Sequence, residues 1–253
     1  MIEDFWSIVA VGFAAQMVDG ALGMAYGLTS TSLLLTLGYT PASASAAVHL
    51  AEVATSAASA TSHGIARNID WRLVRPLAIS GILGGVMGAS LLATGLGGWL
   101  VPFVSVYLGV MGCVILWKAF RQMPGIRPPR GLLPLGWVGG FLDAVGGGGW
   151  GPIVSGTLVA SSSSTRHTIG SSIAAEFFVT TAIAVTFAGH LSLREFGWAA
   201  LALVVGGLPA TPIAALVVRF APRSWLMVGV GILIVGLGLH GLWRNSGIFL
   251  DLL

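Results

Sequence analysis

Asp143-Ala144-Val145-Gly146-Gly147-Gly148-Gly149-Trp150-Gly151-Pro152 sits in the middle of a long apolar segment. Five of the six residues ending at Gly151 are glycine, with a carboxylate before them and a proline after. Glycine tolerates φ > 0 and loses most entropy in a helix, while proline removes a backbone donor, so a continuous helix through this run is not expected. In a bilayer, each backbone group freed by a break costs several kcal/mol unless it faces protein, water or a ligand. A break at that depth needs a use. A weaker echo stands earlier in the chain, at Asp19-Gly20-Ala21-Leu22-Gly23-Met24-Ala25-Tyr26-Gly27.

Composition sets the surroundings of both breaks. Of 253 residues, 55% are hydrophobic and 8% charged. Soluble domains carry about 25% charged residues, so a large soluble core is excluded and a polytopic membrane protein is expected. The length leaves room for about eight hydrophobic segments with short loops. Twelve Lys and Arg against nine Asp and Glu give a pI near 9.6. The basic residues cluster between apolar segments, which fits membrane orientation and not nucleic-acid binding. Cys113 is the single cysteine, so an intrachain disulfide is excluded. The start Met1-Ile2-Glu3-Asp4-Phe5-Trp6 is acidic and lacks the basic opening of a cleaved signal peptide.

In order, the first apolar segment runs from about Phe5 to Gly38 and contains the first break. Thr40 is expected as an N-cap with Pro41 at the first helical position. Helices are then expected to about His63, from Pro76 to Thr94 and from Trp99 to Phe120. The second broken segment runs from Leu132 to Ala160, and three helices follow near 166–189, 194–218 and 225–243. Shifting by 124 residues superposes Asp19 on Asp143, Gly23 on Gly147, Gly27 on Gly151, Glu52 on Glu176 and Tyr26 on Trp150. The chain therefore reads as one all-α transmembrane domain, 1–253. Repeat 1 spans 1–120, a basic proline-containing linker 121–131, and repeat 2 132–253. Each half holds about four hydrophobic segments, the first broken at glycine. Internal repeats of this kind are typical of secondary transporters.

If both broken segments cross the membrane, the repeats are parallel; if both are re-entrant, each half has three spans and the repeats are inverted. Both arrangements place most Lys and Arg on one side, as the positive-inside rule requires. Each broken segment is roughly half as long again as the ~20 residues a single span needs, which leans toward re-entrance.

Asp19, Glu52, Asp143 and Glu176 are the only acids inside these segments. A carboxylate near the bilayer centre costs roughly 2.5–3.5 kcal/mol on insertion scales, so each must face a polar interior. They read as a proton relay or polar lining, together with His49. The bland alternative, weightiest for the two aspartates, is that each caps a broken-helix end. The glycines Gly23, Gly27, Gly147, Gly148, Gly149 and Gly151 offer N–H donors and close backbone approach to a ligand. Hydroxyls crowd behind the breaks at Thr29, Ser30, Thr31 and Ser155. With the aromatics Tyr26 and Trp150, these form the expected substrate-binding set, suited to a small oxyanion. Gly81/Gly85 and Gly84/Gly88 read instead as helix packing.

His49 and Glu52, at i and i+3, have metal-ligand spacing, but two ligands do not make a site, so no metal and no cofactor are expected. His63, His167, His190 and His240 lie near helix ends and read as interfacial. Arg166 stands where it could draw an anion to a cavity mouth. No Gly-x-Ser-Gly and no HExxH occurs, so an intramembrane hydrolase lacks its signatures. An anion channel and a membrane-embedded assembly protein without a substrate remain as alternatives to a gated, proton-linked carrier.

The chain resembles the TauE/SafE family of membrane permeases, described as sulfite or organosulfonate exporters. The resemblance is carried by Val18 to Thr31, His49-Leu50-Ala51-Glu52-Val53, Gly140-Phe141-Leu142-Asp143-Ala144-Val145 through Pro152, Ile169-Gly170-Ser171 and Ala175-Glu176-Phe177-Phe178. It implies a multi-pass protein of the cytoplasmic (inner) membrane. Its partners would be sulfite, sulfoacetate or a related small sulfur-containing anion, protons and the lipid bilayer, and it is compatible with a homo-oligomer.

Overall fold

The computed structural model describes residues 2–22, 26–94, 97–120, 131–161, 165–217 and 223–244. Gly23 and most of the linker, residues 121–130, lie outside the described residues, as does the side chain of Arg166. Every regular element among them is helical. The first half contributes α1 (Ile2–Leu22), α2 (Tyr26–Thr36), α3 (Pro41–Ile65), α4 (Trp71–Ala93) and α5 (Gly97–Phe120). The second contributes α6 (Leu132–Gly146), a π-helical turn (Gly151–Ser155), α7 (Gly156–Ser161), α8 (Thr165–His190), α9 (Leu193–Val217) and α10 (Arg223–Arg244). The second expected break is present, between α6 and the π-helical turn. The first falls on residues 23–25, outside the described residues, and α2 resumes at Tyr26.

Local chemistry sets the boundaries. Thr40 caps α3 by accepting the Ser43 N–H at 3.2 Å, with Pro41 at the first helical position. The third expected helix starts earlier than Pro76, at Trp71. The Asp70 carboxylate accepts the Arg72 N–H at 2.9 Å, and its carbonyl accepts the Leu73 and Val74 N–H groups. That cap nucleates the helix five residues upstream, and Pro76 is carried inside it. At the second break, Gly147 has φ 66° and Gly148 φ 150°, values that only glycine adopts without strain. The π-helical turn then carries the chain into α7.

α1, α3, α4, α6, α8 and α9 pack into one body: α4 lies on α6 and α8, α9 on α1 and α3, and α3 on α8. α5 and α10 form a separate pair that touches this body lightly and rests against α2 and the π-helical turn. The apolar clusters divide in the same way. The large one runs through the six-helix body, and a small one joins Leu28 of α2 to Leu108, Ile115 and Ile234 of the pair.

Glycines allow these close crossings. A Cβ on Gly140 of α6 would overlap the Gly81 carbonyl of α4, and one on Gly88 would meet the Phe141 carbonyl oxygen at 2.7 Å. On the other side of α4, a Cβ on Gly85 would meet Ile183 of α8 at 2.7 Å. The glycine pairs of α4 are packing sites, as their spacing suggests.

The outside is suited to lipid. Ile79, Leu83, Val185 and Ile232 are exposed at mid-helix. Exposed Trp6, Trp71, Trp198, Trp225 and Trp243 lie near helix ends, where indole rings favour the membrane interface. Trp71–Ala93, His167–His190 and Leu193–Ala210 are long and apolar enough to cross a membrane by length and composition.

Candidate functional site at the crossing of the two breaks

The two breaks meet. A Cβ on Gly27 would lie 2.7 Å from Gly148 Cα, 3.0 Å from the Gly147 carbonyl oxygen and 2.9 Å from Glu52 Oε1. Backbone lies on backbone there, which only glycine permits. Thr31 fastens the contact by donating its hydroxyl to the Gly147 carbonyl at 2.6 Å.

Each aspartate caps the helix after its own break. Asp143 Oδ1 accepts the Gly149 N–H at 2.5 Å and the Trp150 N–H at 2.9 Å, while Asp19 Oδ1 accepts the Tyr26 N–H at 3.1 Å. The residue pairs that superpose on a shift of 124 thus make the same bond.

The second oxygen of Asp143 faces the other half of the chain. His49 Nε2 of α3 stands 3.3 Å from Asp143 Oδ2, with both side chains buried. His49 Nδ1 lies 2.7 Å from the Ser45 carbonyl oxygen, which can only accept, so Nδ1 carries a hydrogen. A neutral ring with its hydrogen on Nδ1 would point a lone pair at a carboxylate. A proton between Nε2 and Oδ2, carried by either atom, or a cation would make the contact favourable. Ser45 ties the ring to the break by donating to the Ala144 carbonyl at 2.7 Å.

Glu52 sits one turn further along α3. Thr180 of α8 donates to the His49 carbonyl at 3.2 Å and lies 3.5 Å from Glu52 Oε2. His49, Glu52 and Asp143 each offer a ligand atom within 4.8 Å of the others, and all three are buried. Two carboxylates this close, out of water, cannot both stay charged without a compensating positive charge. The trio can hold a proton, or a cation in its place. Glu176 is half-buried on α8, the helix that packs on α3.

The aromatic residues of the breaks are engaged with the body. Trp150 is fully buried against Gly81, and its Nε1–H reaches the Ser172 carbonyl at 3.2 Å and hydroxyl at 3.1 Å. Ser155 shares a 2.7 Å hydrogen bond with that hydroxyl. Tyr26 donates to the Leu203 carbonyl of α9 at 3.4 Å. Thr29 and Ser32, by contrast, are buried with no hydrogen-bond partner.

Three contributors escape a reading of the sequence. Tyr107 of α5 lies over Gly146 and Gly149, with its hydroxyl 3.5 Å from the Gly148 carbonyl. Lys118, in the last turn of α5, donates to the Pro152 carbonyl at 2.8 Å and so satisfies an acceptor at the break. Thr180 is one threonine among many. A lone tyrosine or lysine in an apolar helix signals a polar neighbour but does not say which.

A helical chain with apolar flanks, buried carboxylates and two crossing broken helices is a multi-pass protein of the cell membrane with a polar centre. It belongs to the family described as Sulfite exporter TauE/SafE, which matches residues 8–246. It is 39% identical over 236 residues to the "Probable membrane transporter protein YtnM" of Bacillus subtilis (strain 168), covering 89% of this chain and 79% of that relative. No solved structure matches. The chain is a membrane transporter by family.

Proposed function

We propose that this protein is a secondary transporter that moves sulfite or a related small sulfur-containing anion, such as an organosulfonate, across the cytoplasmic membrane by alternating access linked to protons. It moves its substrate without chemical change. The observation that carries the proton link is the facing of His49 Nε2 and Asp143 Oδ2 at 3.3 Å, a buried position where one proton can bridge the two groups. That position joins α3 of one half to the break of the other, so loading and unloading it bears on how the halves meet.

The halves are read as inverted repeats. Packing of α1 on α9, matched by packing of α6 on α4, supports the duplication, since these pairs exchange under the shift of 124. The closed contact of Gly27 with Gly148 favours an occluded carrier over an open anion channel.

The test is sulfite flux into proteoliposomes with and without an imposed pH gradient, for the wild type and for Glu52→Gln with Glu176→Gln. Saturable wild-type flux that follows the gradient and is lost in the double variant is expected. Gradient-driven flux that survives in the double variant would remove the glutamates from the proton path. Flux indifferent to pH in the wild type would remove the coupling itself.

A further inference from the structure

The breaks touch at Gly27 and Gly148, so a substrate held in this state needs room elsewhere. α2 supplies three hydroxyls with nothing to bond. Thr29 Oγ1, Ser30 Oγ and Ser32 Oγ have no hydrogen-bond partner, although the residues are only 1%, 0% and 2% exposed. Leaving such groups unmade inside a protein costs free energy, and native structures keep few of them without a reason. Behind the second break, by contrast, the Ser155 hydroxyl is occupied by Ser172. Thr31, on the same short helix, is committed to Gly147.

The helix geometry says where the two hydroxyls point. At about 100° per residue, Gly27 and Thr31 share the face that meets the second break. Leu28 and Leu35 face the cluster with Leu108, Ile115 and Ile234, and Tyr26 reaches α9. Thr29 and Ser32 fall on the remaining face, opposite Gly27 and Thr31, and Ser30, four residues after Tyr26, falls on Tyr26's side. Of the helices that pack on α2, α3 brings Glu52 to the Gly27 side, which leaves α1 and α10 to flank Thr29 and Ser32.

We propose that Thr29 and Ser32 line an anion subsite on this face of α2, beside the crossing of the breaks and not between them, and that it takes a singly charged oxyanion of the sulfonate or hydrogensulfite type. The inference rests on the transport reading and gives it a location.

The selectivity for one charge follows from the surroundings. α1 and α2 contain no Lys or Arg, and those of α10 are at its ends, Arg223 and Arg244. Ile234, near the middle of α10, is the residue that packs with Leu28. Asp19 places a carboxylate at the first turn of α2, where it already holds the Tyr26 N–H. Two neutral donors near a carboxylate, with no basic side chain at hand, can solvate a dispersed monoanion but cannot offset the desolvation of a dianion. A sulfonate keeps its single charge at all working pH values, and sulfate keeps two, so the pair separates the cases.

The experiment is thermal unfolding of the purified full chain in detergent with methanesulfonate or sulfate, paired with methanesulfonate and sulfite flux in proteoliposomes. Methanesulfonate is expected to raise the wild-type Tm and sulfate to leave it unmoved. Thr29→Val with Ser32→Ala should lose the methanesulfonate shift and raise the half-saturating concentration for flux about tenfold or more. Its unliganded Tm should hold or rise, because the hydroxyls removed had no partner. Thr29→Ser, which keeps the donor, should behave as wild type and serves as the readout if the double variant does not fold; loss of the shift in that variant would overturn the subsite. An unaltered shift in the double variant, an equal response to sulfate, or no response of the wild type to methanesulfonate would overturn it too. Wild-type stabilisation without flux would keep the subsite and overturn the transport reading. Flux with normal half-saturation in the double variant would do the reverse.

Discussion

Asp143 performs two tasks with its two oxygens. Oδ1 satisfies the Gly149 and Trp150 N–H groups that open the second short helix, and Oδ2 faces His49. Its carboxylate is buried, so Asp143→Ala strands two donors and is expected to cost about 3 kcal/mol, read as a fall in Tm of the purified protein. Asp19 receives one N–H in a half-buried setting, so Asp19→Ala should cost about 1 kcal/mol. Equal losses would mean that the two caps are equivalent and that the His49 contact adds nothing. Asp143→Asn keeps an acceptor for the break but removes the charge facing the imidazole. It should keep most of the stability while gradient-driven flux falls steeply, and wild-type flux in that variant would separate the pair from coupling.

Among the elements, α4 and α6 show how closely these helices must approach. Gly140→Ala drives a methyl into the Gly81 carbonyl and should destabilise by about 1–3 kcal/mol, since neither backbone can move without disturbing the whole crossing. Gly109 of α5 is open: a methyl added there would have nothing within 4 Å, so Gly109→Ala should be neutral or stabilise by up to about 1 kcal/mol through helix propensity. Comparing the two Tm values separates packing glycines from incidental ones. α3 differs from both helices. Its buried face carries Ser45, His49, Glu52 and Ser56, so it packs as the polar centre of the six-helix body and not as a lipid-facing span.

For the molecule as a whole, the division between the six-helix body and the α5–α10 pair suggests which parts move. Alternating access needs two rigid units with a thin interface, and the small apolar cluster of Leu28, Leu108 and Ile115 marks where the α5–α10 pair rests against α2. Leu28→Cys with Leu108→Cys, in a Cys113→Ser background, should form a disulfide that cuts flux about tenfold or more and is reversed by reductant. Undiminished flux in the cross-linked protein would place the motion elsewhere.

The sequence by itself determined the membrane class, the second helix break, the Thr40 cap and the packing role of the α4 glycines, because composition, glycine runs and spacing are local properties. It also marked His49, Glu52 and Asp143, since a charge in an apolar segment is conspicuous wherever the chain goes. The start of α4 escaped it because an Asp70 cap outweighs a proline one and a half turns later. Only the tertiary structure decided which groups meet: Asp143 with His49, Gly27 with Gly148, Lys118 with the Pro152 carbonyl, Tyr107 with the second break. Those contacts join residues far apart in the chain. Their partners depend on how helices cross, and crossing is set by the summed packing of many side chains, which no single stretch contains.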